Sequence, residues 1–167
     1  MHRLAFGFVF AFLILACGGS GSSDPSSATS GDAPAAPAAG KATDIAKFGL
    51  KAELPDGATV GDAIIGDGVM IMGGGLGALT IDVATDMTPK TAADQQKEDE
   101  MFTPTNSKVE TLPDGWTVTF ENQGGAGTNY WMHGRRTIGG KDYYCGYTGI
   151  SDDQRTKATA ACKSLKQ

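Results

Sequence analysis

The sequence predicts an α+β domain: an antiparallel β-sheet with a mid-chain helix and a C-terminal helix packed on it. Three observations carry this expectation. Apolar residues alternate with polar ones in several short stretches, the period of half-buried strands, and turns rich in glycine, proline and aspartate separate them. A polar, helix-forming stretch interrupts the strands between Thr88 and Pro104. The chain then closes on a helix with a strong start signal at Ser151. Strands, helix, strands, helix is the order of an α+β layer architecture.

The first element is a leader. His2 and Arg3 form a short positive end, Leu4 to Ala16 form an uncharged apolar run, and Cys17 closes it. A spanning helix needs about 20 apolar residues, and this run is shorter, with the flanks of a secretory signal. Ile14-Leu15-Ala16-Cys17 resembles the lipobox of bacterial lipoproteins, although Leu15 is bulkier than the small residue usual there. That resemblance implies cleavage after Ala16 and acylation of Cys17. Each buried methylene of an acyl chain contributes about 0.8 kcal/mol, so two or three chains give a stable anchor. Gly18, where inner-membrane lipoproteins often carry Asp, favours the outer membrane by similarity to that sorting pattern. The simpler alternative is a cleaved signal peptide with an incidental Cys17.

Residues 17–40 follow as a tether of Gly, Ser, Ala, Thr, Pro and Asp behind the cysteine, with no side chain able to build a core. A coil of that length spans about 25 Å. The domain proper occupies residues 41–167. The whole chain has 14 basic and 19 acidic residues, net −5, and loss of Arg3 with the leader makes the mature chain more acidic still. An acidic domain excludes a nucleic-acid or polybasic lipid grip, so attachment to the bilayer rests on the acylated Cys17. With Cys17 acylated, Cys145 and Cys162 remain as a pair. An oxidising compartment lets them bridge, and their spacing is far from a C-x-x-C redox motif.

Within the domain, Phe48, Leu50, Ala52 and Leu54 alternate as a strand that Leu54-Pro55-Asp56-Gly57 ends by turn chemistry. Val60 to Ile65 forms a short strand. Val69 to Met72 and Leu79-Ile81-Val83 form a hairpin about Gly73 to Gly75. Thr88 as cap and Pro89 in the first turn start a helix that runs to about Phe102. Ala93, Met101 and Phe102 are its packing residues, and Asp94, Lys97 and Glu98 its solvated face.

Lys108 to Leu112 is a strand, followed by Leu112-Pro113-Asp114-Gly115, the same four residues as the first turn. Trp116, Val118 and Phe120 share one strand face, and Asn122 to Thr128 reads as a loop. A long hairpin turns at Gly139-Gly140, with Tyr130, Met132 and Ile138 on one face of its first arm and Tyr143, Cys145 and Tyr147 on one face of its second. In the last helix Ser151 caps, Gln154 is the capping-box partner, and Ala158, Ala161, Cys162 and Leu165 form the inward stripe. A Cys145–Cys162 bridge would staple this helix to the sheet.

FGLKAELPDG near the start, the mid-chain helix between strands, the tyrosine-rich arms and the closing ACKSLK together resemble the PsbP-like α/β/α sandwich of small bacterial lipoproteins and secreted proteins. The resemblance covers residues 44–167. It implies an accessory or binding role more than an enzymatic one, on fold analogy.

Chemistry-bearing motifs are few. After the leader His133 is the only histidine, and the two remaining thiols serve a disulfide, so zinc lacks ligands. No G-x-S-x-G elbow places a nucleophile. Gly73-Gly74-Gly75-Leu76-Gly77 lacks the Gly-Lys-Ser/Thr ending and the following helix of a phosphate loop. Asp56, Asp62, Asp67, Asp82 and Asp86 do not follow a calcium-loop spacing, and Met70, Met72, Met87, Met101 and Met132 are packing residues before they are copper ligands. No metal or cofactor is expected.

The least ordinary feature is the second face of the long hairpin, where Trp131, His133 and Arg135 alternate and Tyr144 lies on the corresponding side of the return arm. Such a ladder suits an anionic or sugar-like ligand, or a partner protein. A helix laid over it, or ordinary cross-strand pairing, is the simpler account of the same pattern. The sequence therefore supports a membrane-anchored envelope lipoprotein with a non-enzymatic module that binds an envelope protein or small ligand. The alternative is a small periplasm-side, hydrolase-like enzyme with His133 as base.

Overall fold

The computed structural model describes residues 40–167, so the leader, Cys17 and the tether lie outside the described residues. The chain enters through β1 (Lys41–Ile45), which pairs antiparallel with β2 (Leu50–Leu54) as a separate two-stranded ribbon. The expected strand is therefore shorter at its start: Ala46–Phe48 is a 3-10 turn, and β1 precedes it. Leu50, Ala52 and Leu54 point inward as their alternation requires.

Seven strands form the main sheet. β3 (Ala58–Asp62), β4 (Val69–Gly73) and β5 (Ala78–Val83) run as a meander to the middle of the sheet. The chain then crosses one face through α1 (Ala92–Asp99) to the far edge. It returns through β6 (Thr105–Leu112), β7 (Gly115–Gly124), β8 (Gly127–Ile138) and β9 (Lys141–Gly149). The spatial order is β3-β4-β5-β9-β8-β7-β6, antiparallel throughout. α2 (Asp152–Lys163) closes the chain on the other face. This is the α+β class, an antiparallel sheet with a mid-chain and a C-terminal helix. Among the described residues no helix is long and apolar enough to cross a membrane.

Period-2 alternation divides the sheet into two cores. On the first face Ile71, Leu79, Ile81, Met132, Cys145 and Tyr147 are buried under α2 and the β1–β2 ribbon, against Ile45, Leu50, Ala158, Ala161 and Leu165. Cys145 and Cys162 are bonded there, with Cα atoms 6.2 Å apart. The bridge crosses the sheet over Gly134, where a Cβ would stand 3.0 Å from Cys162 Sγ. On the second face Trp116, Val118 and Phe120 form a smaller core, with Ala92, Phe102, Trp131 and Tyr144 packed around it. The C-terminal residues are tied in by reciprocal backbone bonds between Lys51 and Lys166.

Other local expectations need correction, among them that of a strand over Val60–Ile65, since β3 is Ala58–Asp62 and Ile64 and Ile65 are exposed. α1 is capped by Thr91, not Thr88. The Thr91 hydroxyl accepts from Asp94 N–H, and the Asp94 carboxylate accepts from Thr91 N–H, a reciprocal box. Thr88 instead closes a turn back to Thr85, and the Thr88 and Pro89 carbonyls accept from the Arg135 guanidinium. Residues 122–128 are not a loose loop: β7 and β8 continue to a tight turn at Gly124–Gly127, held by Asn129 on Asn122 and Gln123 on Thr128. Ser151 does cap α2, but the Gln154 side chain accepts from the Tyr147 hydroxyl rather than returning to the cap. The Gly139-Gly140 turn stands as read, with φ values of 59° and 77°.

Candidate functional site

The sequence singled out Trp131, His133, Arg135 and Tyr144, and all four lie on the second face. Register explains the grouping: on β8–β9 Arg135 stands opposite Tyr144, and on β7–β8 Val118 stands opposite His133 and Phe120 opposite Trp131. α1 and the 3-10 turn Glu100–Phe102 lie over them. α1 covers the His133 part of the face, and at the Arg135 end the face opens into a hollow of about 500 Å³ lined by Asp86, Lys90, Trp116, Arg135, Thr137 and Asp142. Trp131 packs in a triangle with Phe102 at 4.6 Å and Phe120 at 5.5 Å, and its indole N–H donates to Asn122 at 2.8 Å. Arg135 donates to Asp142 at 2.6 Å and holds the approach to α1 by its carbonyls. Asp142 is held below the usual carboxylate range by bonds from Thr137 and Arg135.

α1 buries polar residues instead of the apolar ones expected of it. Ala93 and Met101 are exposed, whereas Gln95 and Asp99, one turn apart, face the sheet and are almost completely buried. They meet His133 and Tyr144 in a polar cluster. The Tyr144 hydroxyl donates to Gln95 Oε1 at 2.7 Å, and Gln95 Nε2 donates to Asp99 Oδ1 at 2.8 Å. His133 Nδ1 lies 2.5 Å from the Tyr144 oxygen. Because the Tyr144 proton is already given to Gln95, Nδ1 must be the donor, which leaves Nε2 as a bare acceptor.

That acceptor faces Asp99 Oδ1 across 3.7 Å, too far for a hydrogen bond. Neither His133 Nε2 nor Asp99 Oδ2 has a partner, and both are buried. Burial pushes the His133 imidazole down to about 4 and pushes the Asp99 carboxyl up, the latter partly offset by the Gln95 bond. Burial also pushes the Tyr144 phenol up. Every group in the cluster is thus biased toward its neutral form. The geometry is that of a sealed polar core, with the one basic nitrogen turned away from solvent. Among the described residues no three His, Cys, Asp or Glu side chains converge on one point.

Another opening lies on the first face. α2 covers the middle of the first face and leaves β6 and β7 partly bare. Between them runs a groove of about 450 Å³ lined by Lys108, Glu110, Thr117, Thr119, Arg155, Thr156, Thr159 and Lys163, with Val109 and Ala160. Three cations face one carboxylate there, and four hydroxyls stand between them. Lys163 pairs with Glu110 at 2.5 Å across the groove. Arg155 is braced by Asp152 at 2.5 Å, by the Phe120 carbonyl at 3.2 Å and by the Tyr130 ring. A braced guanidinium beside hydroxyls is preorganised to receive an anionic or hydroxyl-bearing group.

Sequence reading missed this groove, since its residues come from strands and a helix far apart in the chain. The outward side of α2, with Arg155, Thr156, Thr159 and Lys163 at helical spacing, is the one signal that points to it. No family model matches the chain, and no curated protein matches it.

Proposed function

We propose that this chain is an envelope lipoprotein, held to the bilayer by an acylated Cys17, whose domain is a non-enzymatic binding module. The outer membrane is its proposed site. The observation that carries the binding reading is the groove beside α2: it is open, and it is walled by threonine hydroxyls, Lys108 and a braced Arg155. A ligand or envelope partner bearing carboxylates or sugar hydroxyls fits it. Two helices on opposite faces of one antiparallel sheet support the finer reading of the domain as a PsbP-like sandwich. Burial of His133 Nε2 beneath α1 weighs against a role for His133 as a general base, which needs the substrate proton within hydrogen-bond reach.

The test is a pull-down from native envelope with the anchor intact, comparing the wild-type chain with Thr156→Glu. Thr156 is exposed on the groove wall, so the substitution adds a repelling charge without touching the core. A companion recovered by the wild type and lost by the variant supports the reading, and equal recovery overturns it. For the anchor, Cys17→Ser is expected to release the protein from the membrane fraction, and retention would sink that part.

A further inference from the structure

The sheet ends in two unlike edges. β3 is five residues long, and the Lys47 ammonium reaches past its end to Asp62 and the Gly68 carbonyl. β6 is eight residues long, exposed from Thr105 to Thr111, and among the described residues no strand pairs with its outer side. Natural edges are usually blunted by bulges or charge. Here the bulge is confined to one end, where the register shifts between Thr105 and Lys108 and Asn106 sits at φ 53°, and the rest of the strand carries only Lys108 and Glu110 as charges. From Lys108 to Leu112 the pairing with β7 is regular, which leaves a flat, free edge.

That edge is complementary to itself. Lys108 and Glu110 lie on one face of the strand, opposite Thr119 and Thr117 of β7, and Val109 lies on the other at 44% exposure. We infer that β6 pairs antiparallel with β6 of a second copy of this chain, about a two-fold axis at Val109. In that register Val109 meets its twin, Lys108 of each copy meets Glu110 of the other, and Ser107 meets Thr111. Opposite charges and paired β-branched residues are the cross-strand contacts that stabilise sheets. A two-fold interface must be self-complementary in this way. Glu110 has two carboxylate oxygens, so it bridges the partner copy's lysine while keeping Lys163. One strand pair buries less than the roughly 1,200 Å² of a stable interface, so the contact is a weak one that membrane confinement would strengthen.

The register makes the test specific. In the full-length chain, Val109→Cys places two thiols directly opposite, with Cβ atoms about 5 Å apart, which a strand shift of about 0.5–1 Å brings within disulfide reach. Thr111→Cys places them four residues apart along the strand, about 13 Å, beyond reach. Both positions are exposed, so neither variant disturbs the core. Mild oxidation in native envelope is expected to give a cross-linked dimer for Val109→Cys and none for Thr111→Cys. Adding Lys108→Glu to Val109→Cys should abolish the dimer by facing glutamates together, and adding Glu110→Lys as well should restore it. Cross-linking at both positions, at neither, or only to a different protein overturns the proposal. The Val109→Cys and Thr111→Cys cross-links read the β6 edge and the Thr156→Glu pull-down reads the α2 wall of the groove, so failure of either leaves the other standing, whereas the Lys108 and Glu110 changes touch both.

Discussion

On the α2 face a buried guanidinium meets five acceptors, whereas beneath α1 one carboxylate oxygen and one imidazole nitrogen, equally hidden from water, meet none. Arg136 donates to both oxygens of Asp114, at 2.8 and 2.7 Å, to the Cys162 and Lys163 carbonyls that end α2, and to the Leu165 carbonyl just beyond it. It thereby caps the helix C-terminus and fixes the Leu112–Gly115 turn, and its bonds hold Asp114 below the usual carboxylate range. The disulfide adds a covalent tie a few residues away. The α1 face has a shorter, more polar helix, an aromatic stack, and the unmade Asp99–His133 contact. Two helices on one sheet are thus held by different physics. One is locked by satisfied charge, the other rests on stacking and a neutral polar cluster.

The difference is broken most forcefully at Arg136. Arg136→Ala leaves Asp114 and the three carbonyls without their donor, and about 3–5 kcal/mol of stability should go, read as a lower urea midpoint. A loss under about 1 kcal/mol would mean water replaces the guanidinium, and the lock is not what holds α2. Next comes the disulfide. The double change Cys145→Ala with Cys162→Ala should cost about 3 kcal/mol by the chain-entropy account for a loop of this size, checked by the same midpoint.

On the other face the sign should reverse. Asp99→Asn removes a desolvated carboxylate while its amide oxygen still accepts from Gln95, so stability at pH 7–8 should hold or rise by about 1 kcal/mol. Linkage gives the pH dependence. The Asp99 carboxyl is raised in the fold, so its penalty is present at neutral pH and relieved as pH falls through the folded value. His133 is lowered to about 4, so its penalty appears as pH falls below about 6.5 and is complete below about 4. The wild type carries both opposing slopes and the variant only the second. The variant should therefore lose stability more steeply between pH 6.5 and 4, and parallel curves would contradict the cluster's geometry. The smallest effect is expected at the cap: Thr91→Ala should cost about 1 kcal/mol and raise amide exchange in α1 before α2.

Much of the first face was legible because its signals are local. Alternation at Leu79-Ile81 and Tyr143-Cys145-Tyr147, the two-glycine turn, and the Ser151 cap each act over a few residues. The second face was legible only by half. Trp131, His133, Arg135 and Tyr144 were rightly placed together by strand period, but their cover was not. Gln95 and Asp99 look like solvated helix residues, and only the register across β8 and β9 brings His133 and Tyr144 under them. Arg136 was invisible for the same reason, since its acceptors come from residues 22 and more positions away. Thr88-Pro89 misled because a good cap signal was outcompeted by the Arg135 guanidinium and a better box three residues on.

The account's central claim is that ligand contact belongs to the open groove beside α2 and not to the closed face beneath α1. A paired pull-down of full-length Thr156→Glu and Asp99→Asn chains from native envelope tests it most directly. The account predicts that the companion is lost with Thr156→Glu and retained with Asp99→Asn. Loss with Asp99→Asn and retention with Thr156→Glu would move the site to the His133 face and contradict it.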